Sequence, residues 1–316
     1  VMQNFTPIVY EGDVSQIPGH ADTYMVYQEG IYVGYKYYET RYEDFVMGTG
    51  NAGEYAYGDD VAFPFGYGLS YTTFEYSDVA LSYDAATTTY TMKVTVTNTG
   101  DVAGKETVQI YVSSPYTEYD VKNNVEKASV SLVGFDKTRK LQPGESQTLT
   151  IEVDGDYVAS YDAYGAGTYI LDAGDYYFTA ATDSHNAANN VLAAKGFTPD
   201  NTAGRMDVAG NAALVATWNN PELDTTTYAT SDAGTEVSNK LDSSDPNMNG
   251  EVDDIVYLSR NDWEGTMPSL EKTVKFVLND YLVKALQDQQ YETNKEAAAA
   301  MPTLGADNGL KLYDMI

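Results

Sequence analysis

The sequence lacks cysteine and is poor in histidine and in basic residues. The absence of cysteine among its 316 residues excludes disulfides, thiolate zinc sites and cysteine nucleophiles, and it leaves the redox compartment open. The two histidines, His20 and His185, are too few for a histidine-rich metal site, and their polar neighbours predict solvated side chains. Lys and Arg number 18 against 47 Asp and Glu, a net charge of −29. Such a chain repels nucleic acids and anionic lipids, so we expect no nucleic-acid and no membrane partner.

Long apolar runs are absent as well. No stretch approaches the ~20 apolar residues of a membrane helix, and no signal peptide is visible. The sequence begins with Val1 rather than an initiator methionine and ends at Ile316 without a helix stop signal, so we expect it to be part of a longer protein. A cytoplasmic location and a secreted or cell-surface location both stay open, as does the oligomeric state.

Regular alternation of apolar and polar residues dominates the middle of the chain. Tyr90, Met92, Val94 and Val96 are apolar, and the residues between them are polar. The same period of two returns in four further segments, at 108–112, 128–132, 149–153 and 176–180. Period two with one apolar face is typical of half-buried antiparallel strands. Turn residues separate the segments, at 98–101, 143–144 and 173–175. Residues 73–195 are therefore predicted to form a mainly β domain, an antiparallel sandwich of about seven strands without helices among them.

The flanking segments have different patterns. Residues 1–72 are rich in tyrosine and glycine without a long regular period, so we expect one strand within 1–10 and a turn or short strand over 31–38. Residues 196–267 are weakly periodic and predict an irregular connector with at most a hairpin. From Pro268 onward apolar residues recur at spacings of three and four, which predicts a helical segment over 268–316. Its apolar face contains Leu270, Val274, Val277, Leu278, Tyr281, Leu282 and Ala285.

Two segments carry a family resemblance. Residues 29–38, Glu-Gly-Ile-Tyr-Val-Gly-Tyr-Lys-Tyr-Tyr, and residues 63–74, Phe-Pro-Phe-Gly-Tyr-Gly-Leu-Ser-Tyr-Thr-Thr-Phe, resemble the signature that ends the second catalytic domain of glycoside hydrolase family 3. Residues 98–104 and 133–137 resemble the fibronectin type III-like domain that follows it in that family. The resemblance implies that 1–72 are the C-terminal portion of an α/β sandwich domain and that 73–195 are a fibronectin type III/immunoglobulin-like sandwich.

The last part of the chain resembles the connector of a permuted subgroup of that family. The segments concerned are residues 257–266, Tyr-Leu-Ser-Arg-Asn-Asp-Trp-Glu-Gly-Thr, and residues 302–305, Pro-Thr-Leu-Gly. In that subgroup the α/β and fibronectin-like domains come first and a catalytic barrel follows. The resemblance therefore implies that 268–316 are a helical linker leading to a barrel domain.

What the family resemblance implies for function is the hydrolysis of terminal β-linked sugars by a retaining β-glycosidase, expected to be a β-glucosidase, without a cofactor. Within such an enzyme this chain would be a non-catalytic part that packs on the α/β and barrel domains and braces them. An oligosaccharide or β-glucoside would bind to the parent enzyme as its substrate, and the chain alone would be inactive.

The resemblance also singles out two groups of residues. Family placement brings Tyr35, Lys36, Tyr37 and Tyr38 close to the substrate, and Lys36 stands where many relatives have arginine. The second group is expected at a domain interface, where Gly66 and Gly68 allow a tight backbone course and the aromatic residues hold the sandwich against its neighbour. This interface group comprises Phe63, Pro64, Phe65, Gly66, Tyr67, Gly68, Leu69, Ser70 and Tyr71.

Two further motifs resemble known catalytic or metal sites. Asp262 and Trp263 resemble the Ser-Asp-Trp motif of the family nucleophile, but Asn261 precedes them and no barrel pattern surrounds them, so no catalytic residue is assigned. Residues 245–253 match several ligand positions of a calcium-binding EF-hand loop, while Val256 occupies the position of the final bidentate carboxylate. Pro246 also fits an ordinary Asp-Pro turn, and no metal is assigned. The candidate ligands are Asp245, Asn247, Asn249, Glu251 and Asp253.

Alternatives of another functional class stay open. The 29 tyrosines could stack on sugar rings, or they could simply suit strands and domain interfaces. A stand-alone carbohydrate-binding or cell-surface module without hydrolase activity is therefore a second hypothesis, and a pure scaffold is a third. The aromatic residues at 29–72 favour a part of a larger enzyme, because they need another domain to pack on.

Overall fold

A computed structural model describes residues 8–12, 23–231, 233–240, 247, 255–268 and 274–276. Seven antiparallel strands in these ranges form two sheets. These strands are β3 Phe74–Asp84, β4 Thr89–Asn98, β5 Thr107–Ser113, β6 Ser131–Lys137, β7 Ser146–Asp154, β10 Gly174–Ala181 and β11 Val215–Asn220. The three-stranded sheet has the order β3-β4-β7, and the four-stranded sheet has the order β11-β10-β5-β6. The predicted mainly β, antiparallel sandwich is confirmed.

The core lies between the two sheets and follows the alternation in the sequence. On β4, Tyr90, Met92, Val94 and Val96 are fully buried, and they pack with Phe178 on the opposite sheet. The predicted turn after β4 is tied down by Asn98, whose amide donates to the carbonyl oxygens of Val102 and Leu141. The largest difference among the predicted strands is at 128–132, because β6 begins only at Ser131.

The sandwich continues past its predicted end at residue 195. Strand β11 pairs with β10 from Gly174↔Asn220 to Thr179↔Val215, and Trp218 on β11 packs against the core. The boundary is therefore corrected, since residues 215–220 belong to the sandwich rather than to an irregular connector. The physical reason is pairing, because β11 hydrogen-bonds to the edge of β10 that β5 leaves open.

Helices lie beside and between the strands, contrary to the sequence prediction. They are α1 Tyr35–Met47, α2 Tyr57–Asp60, α3 Glu118–Asn123, α4 Ser184–Ala194 and α5 Trp263–Thr266. The turn or short strand expected over 31–38 is wrong from Tyr35 onward, where α1 starts. Gly48 ends α1 in the left-handed conformation, and its N–H donates to the carbonyl oxygens of Asp44 and Phe45. Helix α4 packs on α1.

Two smaller sheets complete the described strands. β1 Ile8–Gly12 pairs antiparallel with β2 Thr23–Val26 and parallel with β12 Val274–Phe276. The strand expected within 1–10 is confirmed for residues 8–10. The helix predicted from Pro268 is wrong at residues 274–276, which pair as a strand, and the rest of that predicted helix lies outside the described residues. β8 Ser160–Asp162 and β9 Thr168–Ile170 form a hairpin at one end of the sandwich.

Candidate functional site

The predicted interface group forms an exposed apolar surface, called here the aromatic segment (residues 63–71). Leu69 is 89% exposed and Tyr71 is 102% exposed. Phe63, Phe65 and Tyr67 are also exposed, although the rings of Phe63 and Tyr67 contact each other with centroids 5.2 Å apart. Large apolar side chains exposed side by side mark an interaction surface in a soluble protein.

The backbone of the aromatic segment is fastened to the sandwich and to α1. The ring of Phe65 stacks on Tyr35 at 4.6 Å, and the carbonyl oxygen of Phe65 accepts from the N–H of Ser184. Gly66 has φ +86°, and a Cβ there would lie 2.2 Å from Oε1 of Gln109. The tight course expected at Gly66 is therefore present, whereas Gly68 has open space around it. The segment is thus held in place while its side chains face outward.

The four residues expected near a substrate occupy different environments on α1. The hydroxyl of Tyr35 accepts from the N–H of Leu132 at 3.0 Å, which ties α1 to β6. Tyr37 is buried beside Trp263, so its ring belongs to the core, and Tyr38 is partly buried at its edge. Lys36 is the member of the group that lines a cleft, and burial lowers the pKa of its ammonium.

Residues 255–267 form a segment, called here the clasp, that closes over α1. Arg260 is buried, and its guanidinium donates to both carboxylate oxygens of Asp44, at 2.5 and 3.2 Å, and to Glu43 at 3.0 Å. The indole N–H of Trp263 donates to Asp44 at 2.8 Å. Burial raises the pKa of Asp44, and Arg260 opposes that effect. Removing Arg260 would leave two buried carboxylates without their shared cation.

Asp262 has a local structural role in the clasp. Its Oδ1 accepts from the N–H of Gly265 at 2.9 Å and so caps α5, and it also accepts from the amide of Asn51 at 2.9 Å. These two hydrogen bonds lower the pKa of Asp262. The cap and the buried Trp263 give the Asp-Trp pair a structural role in the clasp.

A second buried charge cluster surrounds His185, which the sequence wrongly predicted to be solvated. The side chain of His185 is buried, with Nδ1 2.9 Å from Glu39 and Nε2 3.0 Å from Asp207. Its ring stacks on Tyr57 with centroids 3.8 Å apart. Burial lowers the pKa of His185, but the hydrogen bonds with Asp207 and Glu39 outweigh it and raise the pKa to about 9. The cluster joins α1 to α4, because Glu39 lies on α1.

Two clefts are lined in part by residues of the clasp. One, of about 770 Å³, is lined by the rings of Tyr116 and Tyr177 above the Arg260 and Lys195 ion pairs. The other, of about 830 Å³, is called here the tyrosine cleft and lies between α1, the sandwich and the clasp. Tyr157, Tyr161 and Tyr164 line it together with Lys36. These three tyrosines belong to none of the groups predicted from the sequence, although three tyrosines within residues 157–164 could have indicated an aromatic surface.

Of the five candidate calcium ligands, Asn247 lies within the described residues. Asp245, Asn249, Glu251 and Asp253 lie outside the described residues. The side chain of Asn247 binds the backbone of Ile255 through both its carbonyl oxygen and its amide. Within the described ranges, no three His, Cys, Asp or Glu side chains are grouped so that they could hold a metal ion.

None of the described helices has the length and apolar character needed to cross a membrane.

Comparison with known proteins gives one family model and many relatives. Residues 106–184 match the fibronectin type III-like domain model. A β-glucosidase from Ruminococcus albus is 39% identical over 166 residues, covering 51% of this chain and 15% of that protein. An exo-α-(1→6)-L-arabinopyranosidase from Bifidobacterium breve is 38% identical over 176 residues, covering 56% of this chain and 19% of that protein.

Solved structures give similar names. β-Glucosidase 3B from Thermotoga neapolitana, in complex with α-D-glucose, matches 63% of this chain and 21% of its own at 32% identity, with a TM-score of 0.44. The family 3 β-glucosidase from Bifidobacterium adolescentis matches 70% of this chain and 25% of its own at 26% identity, also with a TM-score of 0.44. The chain thus spans less than a fifth of the length of the curated relatives named above.

Proposed function

Since this chain contains a fibronectin type III-like domain and is a relative of glycoside hydrolase family 3 β-glucosidases, we propose that it is a structural, non-catalytic part of a retaining β-glycosidase. The parent enzyme would hydrolyse terminal β-linked sugars, most simply β-glucosides. The observation that carries the proposal is the match of half the chain to a much longer β-glucosidase. Because one relative is named an arabinopyranosidase, the sugar is the least constrained part of the proposal.

The exposed aromatic segment supports a role in domain contact. Leu69 and Tyr71 expose nearly their whole side chains, and burying apolar surface of this kind against a neighbouring domain is favourable by about 25 cal/mol per Å². The backbone beneath them is held by Phe65 and Gly66, so the surface is preformed. We propose that this surface packs on the α/β and barrel domains of the parent enzyme, with the barrel after the clasp as in the permuted subgroup.

The clasp supports a role in bracing. A buried guanidinium shared by Glu43 and Asp44 fixes the chain at Arg260 relative to α1. Trp263 fills the core beside Tyr32 and Tyr37. A domain attached after residue 267 would therefore have a fixed orientation relative to α1. In a retaining glycosidase the two catalytic carboxylates must stand ~5–5.5 Å apart, so a rigid brace between domains would keep them in register.

Two measurements test the proposal. The purified chain is expected to release no detectable product from an aryl β-glucoside, since no catalytic carboxylate is assigned within it. The native polypeptide in its source cells is expected to have a mass well above 34.6 kDa. Hydrolysis by the purified chain would overturn the non-catalytic assignment. A native mass near 34.6 kDa would instead favour the stand-alone carbohydrate-binding or cell-surface module.

A further inference from the structure

The tyrosine cleft has the size and lining of a ligand site. Its volume of about 830 Å³ falls within the ~300–1,000 Å³ of small-molecule pockets. Four parts of the fold meet there. Lys36 comes from α1, Ser131 and Leu132 come from the sandwich, Tyr157 to Tyr164 come from the chain between β7 and β9, and residues 255–259 come from the clasp. Apolar and polar side chains are mixed along it, which suits an amphipathic ligand.

From this arrangement we propose that the tyrosine cleft binds a short neutral oligosaccharide. The ligand class rests on the proposed function, which makes sugars the molecules that the parent enzyme meets. The position and the binding groups come from the cleft itself, and the preference for a neutral ligand comes from the cleft together with the net charge of the chain.

Aromatic rings are the first of these binding groups. Tyr157 is 69% exposed and Tyr164 is 43% exposed, so both have surface to offer a ligand in the cleft. Pyranose rings present C–H faces that pack against aromatic rings, and a tyrosine hydroxyl adds a polar edge. Tyr161 is less exposed, and its ring contacts Tyr169 with centroids 5.1 Å apart.

The loop that carries Tyr164 is held in one conformation. Asp162 is fully buried, and its carboxylate accepts from the N–H groups of Gly165 at 2.7 Å and Ala166 at 2.6 Å. The hydroxyl of Tyr119 donates to the same carboxylate at 2.6 Å. A preformed ring position lowers the entropy that is lost when a ligand binds.

Lys36 is a charged hydrogen-bond donor that lines the described part of the cleft. Among the described residues none forms an ion pair with it, and burial lowers the pKa of its ammonium. The other charged groups of the cleft, which are Glu126, Lys127 and Asp262, already have partners. Asp262 accepts from Asn51 and from the N–H of Gly265. Glu126 accepts from Tyr32 and from the N–H of Arg260, and Lys127 pairs with Asp120 and Asp172.

A neutral sugar fits this balance better than a charged one. A hydroxyl can accept from the Lys36 ammonium without bringing a new charge, whereas an anionic ligand would approach a chain with a net charge of −29. Asn124, Ser131 and Ser160 also line the cleft and supply neutral donors and acceptors for further hydroxyls.

Isothermal titration calorimetry of the 316-residue chain with cellotetraose, with xylotetraose and with a tetrameric oligogalacturonate tests the proposal. Saturable binding of at least one neutral tetrasaccharide, with a Kd of about 1 mM or tighter, is expected. Absence of saturable heat for both neutral ligands would overturn the proposal. Binding of the oligogalacturonate alone would overturn the neutral assignment.

Variants locate the binding. Tyr157→Ala and Tyr164→Ala are each expected to weaken the affinity about three- to tenfold, the effect of losing one ring contact. Lys36→Met should also weaken it, and Lys36→Arg should restore most of the loss, because a guanidinium keeps the donor. Tyr71→Ala is the matched control, since that ring is exposed and lies outside the cleft lining. Equal weakening by Tyr71→Ala, or none by Tyr157→Ala and Tyr164→Ala, would place the binding elsewhere and refute the proposal.

The binding assay is independent of the test of the proposed function. A native polypeptide longer than this chain together with no sugar binding by the chain would leave the structural role standing and refute the cleft. Sugar binding at the cleft together with a native mass near 34.6 kDa would support the cleft and count against the structural role in a longer enzyme.

Discussion

The protonation of His185 makes the free energy of unfolding depend on pH. The imidazole lies between Glu39 and Asp207, and its side chain is 11% exposed. Its pKa rises from 6.5 to about 9 on folding. Since a tenfold change in proton affinity corresponds to about 1.4 kcal/mol, the raised pKa contributes about 3 kcal/mol to folding while the imidazole is protonated.

The sign follows from the direction of the shift. A pKa that is raised in the folded state adds stability that is fully present below the unfolded value of 6.5. The contribution is lost as the pH rises through about 9. Replacing His185 by glutamine keeps a hydrogen-bond donor but removes the charge. The destabilisation caused by His185→Gln is therefore expected to be about 3 kcal/mol larger at pH 6 than at pH 10.

Urea unfolding of the wild type and of His185→Gln at pH 6, 8 and 10, followed by the fluorescence of Trp218 and Trp263, measures this difference. Arg139→Gln is a suitable control, because Arg139 is exposed and keeps its charge over the whole range, so the effect of that variant should not change with pH. If the destabilisation by His185→Gln were the same at pH 6 and pH 10, His185 would not carry a proton between its two carboxylates, and the reasoning would be refuted.

Two further predictions concern the clasp. Arg260→Met is expected to destabilise the chain by about 3–5 kcal/mol, measured by urea unfolding, because it leaves the carboxylate of Asp44 buried without its cation; a loss below about 1 kcal/mol would mean that the pair is solvated. Gly50→Ala is expected to lower Tm, because Gly50 has φ +66° and a Cβ would lie 2.2 Å from the carbonyl oxygen of Arg260. Gly144→Ala, with φ +75° but open space around it, should lower Tm less, and equal losses would show that backbone strain alone accounts for the effect.

The strands could be predicted because their pattern is local. On β4 the burial of Tyr90, Met92, Val94 and Val96 follows the alternation residue by residue. A period of two with one apolar face has a single good solution when a second sheet covers that face. The sequence also predicted that the aromatic segment needs another domain to pack on, since its large apolar side chains have no partner within the nearby sequence.

Helix α1 could not be predicted from its own residues. Glu39, Glu43 and Asp44 are buried on it, so its inward face does not show the apolar stripe by which an amphipathic helix is recognised. A better signal was Gly48, which ends α1 in the left-handed conformation. The prediction that His185 is solvated was wrong because its burial depends on carboxylates that are distant in the sequence.

By itself the sequence determined the period-two strands, the sandwich they build and the family resemblance of the aromatic segment. The tertiary structure alone decided which charges are buried together. The partner of Glu39 is 146 positions away from it in the sequence, that of Glu43 is 217 positions away and that of Asp44 is 216 positions away. An ion pair depends on the distance between two charges in space, and for residues so far apart in the chain that distance is set by the packing of α1 against α4 and the clasp. The tyrosine cleft has the same origin, because it exists only where α1, the sandwich and the clasp meet.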